Sequence, residues 1–201
     1  MEIKPILFNT EMVRAILDGR KTCTRRIVKD GIPDDAMWGY TAFTPKGYIS
    51  CRGVYADGYG EGFYKLPYQP GDILYVRETW SEWTDGYLYK AWNSPFPQAG
   101  ESPVMKWHPS IHMPKEAARI WLKVTGVRVE RLQEISGEDL TKEGIDLFRS
   151  NYVRVAFDEF KNIWNSTIKK SDLDRYGWDA NPYVFAIEFV KIDKPEEIKN
   201  A

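Results

Sequence analysis

The spacing of apolar positions changes several times along the chain. Ile3, Ile6, Leu7 and Phe8 predict a short strand over 3–8. Met12, Val13, Ile16 and Leu17 then recur at helical spacing. Asn9 or Thr10 offers the N-cap, Glu11 suits the positive end of the helix dipole, and Gly19 is a natural stop. The following run, 20–26, is rich in β-formers and predicts a strand. Between 30 and 70, Gly, Pro, Tyr and Asp are frequent, and Thr44-Pro45-Lys46-Gly47 predicts a turn between strands over 38–43 and 48–55. Pro70-Gly71-Asp72 precedes an alternating strand over 73–80. Thr84-Asp85-Gly86 is expected to turn that strand into another over 87–92. Residues 93–117, with Pro95, Pro97, Gly100, Pro103, Pro109 and Pro114, read mostly as loop.

Ile120, Leu122 and Val124 alternate, and Gly126 marks a bulge within a strand over 120–132. Ser136 with Asp139 forms a capping box for a second short helix, with Ile135 and Leu140 at staple positions and Gly144 at its end. Val153, Ala156, Phe157, Phe160, Ile163 and Trp164 define a longer amphipathic helix ending near Lys169 and Lys170. A last strand spans 183–192. Helices do not alternate one per strand, which argues against a doubly wound parallel sheet. The order predicts an α+β fold: a small, mostly antiparallel β-barrel with short helices at its mouth.

Composition narrows the setting. The 201 residues suffice for one domain, expected over 1–193, with 194–201 a polar tail. Lys and Arg number 28 against 29 Asp and Glu, a net charge of -1, which excludes nucleic-acid binding by bulk charge but leaves room for a local basic patch. Aromatic residues make up 14%, enough buried area to oppose disorder. The start, MEIKPILFNTEMV, lacks the pattern of a signal peptide, and no apolar run approaches the roughly 20 residues that span a bilayer. A cytoplasmic protein without a membrane partner is expected. Cys23 and Cys51 make no disulfide framework.

Four groups of residues carry candidate chemistry. Arg20, Lys21, Arg25, Arg26 and Lys29 put five cations into ten residues with no carboxylate among them. Such a run is either a protected edge strand, a phosphate site, or a setting that lowers a lysine pKa so that it activates the hydroxyl of Thr22 or Thr24. In a regular strand Lys21 and Thr24 face opposite sides, so the pair requires Lys21 to lie in the turn after Gly19. Glu143, at the end of the Ser136-capped helix, is either an exposed acid or a carboxylate placed for proton transfer by the negative end of the dipole. His108 and His112 are the two histidines. With Cys23 and Cys51 their spacing makes a poor zinc set, and His112 is read instead as lining a cleft. Trp38, Tyr40, Tyr48, Tyr55, Tyr59, Trp80, Trp83, Trp92 and Trp107 are mostly packing, with a few able to stack on a base beside the cationic strand.

Leu17-Asp18-Gly19-Arg20-Lys21-Thr22-Cys23-Thr24-Arg25-Arg26 resembles the GxKTxTxR signature of ASCH domains. Pro70 to Arg77, Val127 to Ile145 with Lys142-Glu143-Gly144-Ile145, and Tyr183 to Val190 resemble their later segments. Val76-Arg77-Glu78-Thr79-Trp80, Pro109 to Pro114 around His112, and Gly177 to Pro182 resemble the larger ASCH proteins of phages and prophages. The resemblance implies a PUA-like barrel with insertions at about 27–69, 81–118 and 146–181. It also implies the activity of small bacterial ASCH proteins, which are amidohydrolases on N4-acetylcytidine and need no metal or cofactor. Their catalytic Lys, Thr and Glu fall on Lys21, Thr24 and Glu143, with Arg20, Arg26, Arg77, Glu78 and His112 expected to bind substrate. The partner is then a nucleoside or RNA. A non-catalytic RNA-binding module and an RNA nuclease, with Lys21 and Arg25 on a phosphorane, are the alternative readings.

Overall fold

Two long strands near the C-terminal half form the spine of the protein, as the computed structural model shows over residues 2–29, 31–84, 86–91, 106–147 and 153–196. They are β9 (Trp121–Arg131) and β10 (Tyr183–Ile192), paired antiparallel along their whole length. The register slips between Glu188 and Phe189, opposite Gly126 and Val124, so the bulge falls beside the glycine that predicts it. Around this pair a five-stranded sheet forms in the order β1-β6-β9-β10-β2. Its other strands are β1 (Ile3–Leu7), β2 (Cys23–Ile27) and β6 (Ile73–Arg77). All its pairings are antiparallel except β1 with β6.

The expected α+β, mostly antiparallel architecture is present. Closure is made differently from a fully hydrogen-bonded barrel: among the described residues no ladder joins the edge strands β1 and β2. The helix α1 (Thr10–Leu17) runs from one edge to the other, and the Arg26 guanidinium on β2 donates to the Leu7 carbonyl on β1 at 3.1 Å. Asn9 caps α1 through its side chain, as expected. Val13 and Ile16 insert into the core with Ile6, Phe8, Leu74, Val76, Leu122, Val124, Phe185 and Ile187.

A second, three-stranded sheet is built from β3 (Met37–Gly39), β4 (Tyr48–Tyr55) and β5 (Gly58–Lys65). It joins the core through Ile49, Leu66 and Trp38, whose ring meets Tyr64 and Tyr183 edge-on. The expected strand over 73–80 is two strands, because the chain breaks at Glu78 and Thr79. The second of these, β7 (Trp80–Trp83), forms a hairpin with β8 (Gly86–Tyr89). Asp85 of its turn, Trp92 and the loop positions Pro95, Pro97, Gly100 and Pro103 lie outside the described residues.

The helices α2 (Gly137–Lys142), α3 (Val153–Ser166) and α4 (Leu173–Tyr176) cover one end of the main sheet. Leu132, Ile135, Leu140, Ile145, Ala156, Phe160, Trp164 and Val184 make a separate apolar cluster there. The capping box of Ser136 and Asp139 is formed, with each side chain accepting from the other residue's backbone N–H. Among the described residues no helix is long and apolar enough to cross a membrane.

Candidate active site

The cationic run reaches its place through a tight stop of α1. Gly19 takes a φ of 74°, and the N–H groups of Arg20 and Lys21 both donate to the Ala15 carbonyl. Lys21 therefore lies before β2 and escapes the strand's alternation, which is the condition for it to share a site with Thr24. Its backbone instead forms an isolated antiparallel bridge with Glu143, the C-cap of α2, and the Thr22 N–H donates to the Lys142 carbonyl at 2.8 Å. Gly144 makes this approach possible. Its φ is 94°, and a Cβ at that position would stand 2.9 Å from the Ala15 Cβ and 3.2 Å from the Lys21 Cβ.

The Lys21 side chain is fully buried and uses three acceptors. Its Nζ donates to Glu143 Oε2 at 2.6 Å, to the Glu143 carbonyl at 3.0 Å and to the Cys23 carbonyl at 2.8 Å. Burial pushes the Lys21 pKa below the ordinary lysine value; the adjacent Glu143 opposes the shift and Arg26 adds to it. The other oxygen of Glu143 accepts from Arg25 Nη1 at 3.1 Å. Both carboxylate oxygens are thus held by cations.

Arg25 is itself buried in a network. Its Nε donates to Glu130 Oε1 at 2.8 Å, and its Nη2 is 3.5 Å from Asp139 Oδ2. Arg128 closes the network, bonding Glu130 at 2.7 Å, Asp139 at 3.0 Å and Glu188 at 2.7 Å. Burial opposes the charge on Arg25, yet Glu143 and Glu130 overcome it and raise its pKa. Arg25 is therefore no outward-facing strand cation. Glu130 and Arg128 escape a reading of the sequence and Asp139 is legible there only as a helix cap, although the charged pair Arg128 and Glu130, two apart between Val127, Val129 and Arg131 on β9, is a detectable oddity for a half-buried strand.

Thr24 is also buried, and its hydroxyl accepts from Arg26 Nη1 at 3.0 Å. No hydrogen bond joins Lys21 to Thr24 among the described residues. Arg26 further donates to the carbonyls of Arg25 and Leu7, and has no carboxylate partner among the described residues. Burial lowers its pKa.

Thr24, Arg25, Arg26 and Glu143 form the polar wall of a cavity of about 390 Å³. The opposite wall is apolar and comes from α3 and the residues just after it: Phe160, Ile163, Trp164 and Ile168. The amphipathic helix of the 146–181 segment thus roofs the cleft. Lys21 is not among the lining residues and meets the cavity through Glu143. A second cavity of about 280 Å³ shares Glu143, Phe160 and Ile163 and opens past Arg20 and Gly144.

The other expected substrate residues are dispersed. Arg20 lines only the second cavity, donating to Asp18 and to the Gly144 carbonyl. Arg77 donates to the Ile111 carbonyl. Glu78 is buried and takes a bidentate pair from Arg119, at 2.8 and 3.0 Å. His112 is exposed in the 3-10 turn Ser110–His112 and lines neither of these two cavities. His108 packs against Trp80, with ring centroids 5.0 Å apart. Cys23 and Cys51 are free and buried on different sheets, so they make no common ligand set.

No protein-family model matches the sequence, and no curated protein sequence matches it. Solved structures similar to the chain include a DUF984 protein from Enterococcus faecalis, with a TM-score of 0.43 and 9% identity, covering 100% of this chain and 82% of that one. An ASCH domain from Lactobacillus crispatus gives a TM-score of 0.41 and 11% identity, covering 96% of this chain and 81% of that one. The hypothetical protein PH0355 gives 0.38 and 16%, covering 96% of this chain and 100% of that one.

Proposed function

We propose that the roofed cleft is the active site of an amidohydrolase acting on an acylated nucleobase or nucleoside of the N4-acetylcytidine type. The observation that carries this reading is the buried Lys21–Glu143 pair, whose Glu143 stands with Thr24 in the polar wall of a cavity of nucleoside size. The aromatic wall of Phe160 and Trp164 suits a flat base.

The chemistry proceeds without an added group. In the dry pair, the proton of Lys21 passes to Glu143, leaving an amine and a carboxylic acid. Lys21 leaves the Cys23 carbonyl and takes the proton of the Thr24 hydroxyl as its oxygen attacks the acyl carbon. The oxyanion forms beside the guanidinium of Arg26, which already holds Thr24. Glu143 then protonates the departing exocyclic amine of the base, and the acyl C–N bond breaks. The products are the free base or nucleoside and an acyl ester on Thr24, and the pair has its starting charges again. Water cleaves the ester by the same proton transfers, releasing the carboxylic acid.

The test offers N4-acetylcytidine and labelled single-stranded RNA separately. Release of cytidine, lost in Glu143→Gln, supports the reading. Binding of RNA without turnover of either substrate points to a binding module, and shortened RNA to a nuclease; both overturn it.

A further inference from the structure

Among the described residues the second sheet ends in a strand with one side open. In the order β3-β4-β5, β5 is an edge of eight residues, Gly58–Lys65, without proline. Long edges of this kind are templates for pairing. The backbone shows which groups are on offer. The Val54 N–H donates to the Asp35 carboxylate at 2.9 Å and so does not bond to Tyr59, its register partner on β5. Val54 and Tyr59 are therefore a non-hydrogen-bonded pair, and by alternation so are Arg52 with Glu61, Ser50 with Phe63, and Tyr48 with Lys65. It follows that Glu61, Phe63 and Lys65 turn their N–H and C=O groups away from β4, toward the open side. All three are exposed.

The intervening residues explain why the strand lies flat against its neighbour. A Cβ on Gly62 would stand 2.7 Å from the Tyr55 hydroxyl, and that hydroxyl donates to the Cys51 carbonyl. The inner face of β5 is thus closed by Tyr55, while its outer face presents Tyr59 and Phe63, 65% and 41% exposed, beside Val54 at 59%.

We infer that β5 is a homodimer interface, in which it pairs antiparallel with β5 of a second copy to make a continuous six-stranded sheet. The charge pattern selects the register. Pairing of the outward groups brings odd-numbered residues opposite odd-numbered residues. If Glu61 faced its own copy, two like charges would be directly opposed. If Phe63 faces its own copy on the two-fold axis, Glu61 lies opposite Lys65 of the second chain, and by symmetry the ion pair forms twice. In this register Pro67, which has no N–H, ends the paired stretch. The inference is independent of the proposed chemistry.

Sedimentation of the full chain over a dilution series tests it. The wild type is expected to show a monomer–dimer equilibrium. Glu61→Lys and Lys65→Glu each place like charges across the axis and are expected to shift the equilibrium toward monomer, while the double exchange restores it. Phe63→Pro removes an outward N–H without touching a bond to β4 and is expected to give monomer. Circular dichroism confirms that each variant keeps its fold; for one that does not, the two charge exchanges and their combination decide the matter. A wild type that stays monomeric throughout the series, or a dimer indifferent to all of these changes, overturns the inference.

Discussion

Lys21 Nζ and Glu143 Oε2 lie 2.6 Å apart across 122 residues of sequence, and the same two residues face each other in a backbone bridge. The backbone contact sets the side-chain contact: the α1 stop at Gly19 and the α2 stop at Gly144 bring two helix ends together, and each delivers one charged residue. Taking both charges out of water is costly, and the arrangement offsets the cost by using all three lysine donors and both carboxylate oxygens.

The pair is asymmetric, and substitutions should reveal it. Lys21→Met leaves Glu143 with Arg25. Glu143→Gln leaves the Lys21 ammonium buried without an anion. Glu143→Gln should therefore be the more destabilising in urea unfolding, by up to about 3–5 kcal/mol, the scale for breaking a buried pair. In the proposed reaction both should reduce turnover by about 10² or more. Full turnover in Glu143→Gln would remove it as the proton donor.

Acid stability should depend on Asp72, which has no bond to the Lys21–Glu143 network among the described residues. Burial works against its charge, but the bonds from Lys4 and from the N–H groups of Gln69 and Glu2 prevail and hold its carboxyl below the usual range. A lowered folded pKa means that the stabilisation is complete above the unfolded value and is lost as pH falls through the folded one. Asp72→Asn should lower stability at neutral pH and flatten the loss of stability below about pH 4. Unfolding midpoints measured across that range decide this; a variant with the wild-type acid slope would contradict it.

Much of this was legible in the sequence where local signals agree. The Asn9 cap, the Ser136–Asp139 box, the bulge by Gly126 and the 183–192 strand each rest on residues within one element, and each is found in place. The strand β5 was hidden because Gly58, Gly60 and Gly62 erase its propensity, and the reason at Gly62, the Tyr55 hydroxyl where a Cβ would stand, is a partner on another strand. The break at Glu78 was hidden for a like reason: its N–H turns to the Met113 sulfur and its carboxylate to Arg119. At the cleft, the run 20–26 announced chemistry, but the residues that fix Arg25 come from β9 and α2, and their convergence is a property of the sheet order.

Gly144 should tolerate no side chain. Gly144→Ala combines a left-handed backbone with a Cβ 2.9 Å from the Ala15 Cβ. A loss of about 1–3 kcal/mol is expected from the backbone alone, with more from the clash. Adding Ala15→Gly should recover the clash but not the backbone part, so the double variant should lie between the wild type and Gly144→Ala. Thermal unfolding of the three proteins measures this, and a double variant no better than the single one would show that the contact is relieved by other means.

The roof of the cleft should separate stability from substrate binding. Trp164 is buried in the apolar cluster with Leu140 and Val184, stacks with Phe160 at 6.4 Å and donates its ring N–H to the Tyr176 carbonyl. Trp164→Ala should cost about 3–5 kcal/mol. Ile163 is only half-buried and lines both cavities. Ile163→Ala should cost less stability but, on the proposed function, weaken nucleoside binding, because it widens the junction of the two cavities where Glu143 stands. In the proposed reaction this appears as a raised KM with kcat little changed, since Ile163 itself moves no proton. Deleting residues 148–176, which carry α3, exposes Leu132, Leu140 and Val184 together and should abolish folding. A deletion variant as stable as the parent would mean that the cluster does not depend on α3, and the apolar wall of the cleft would then lose its structural basis.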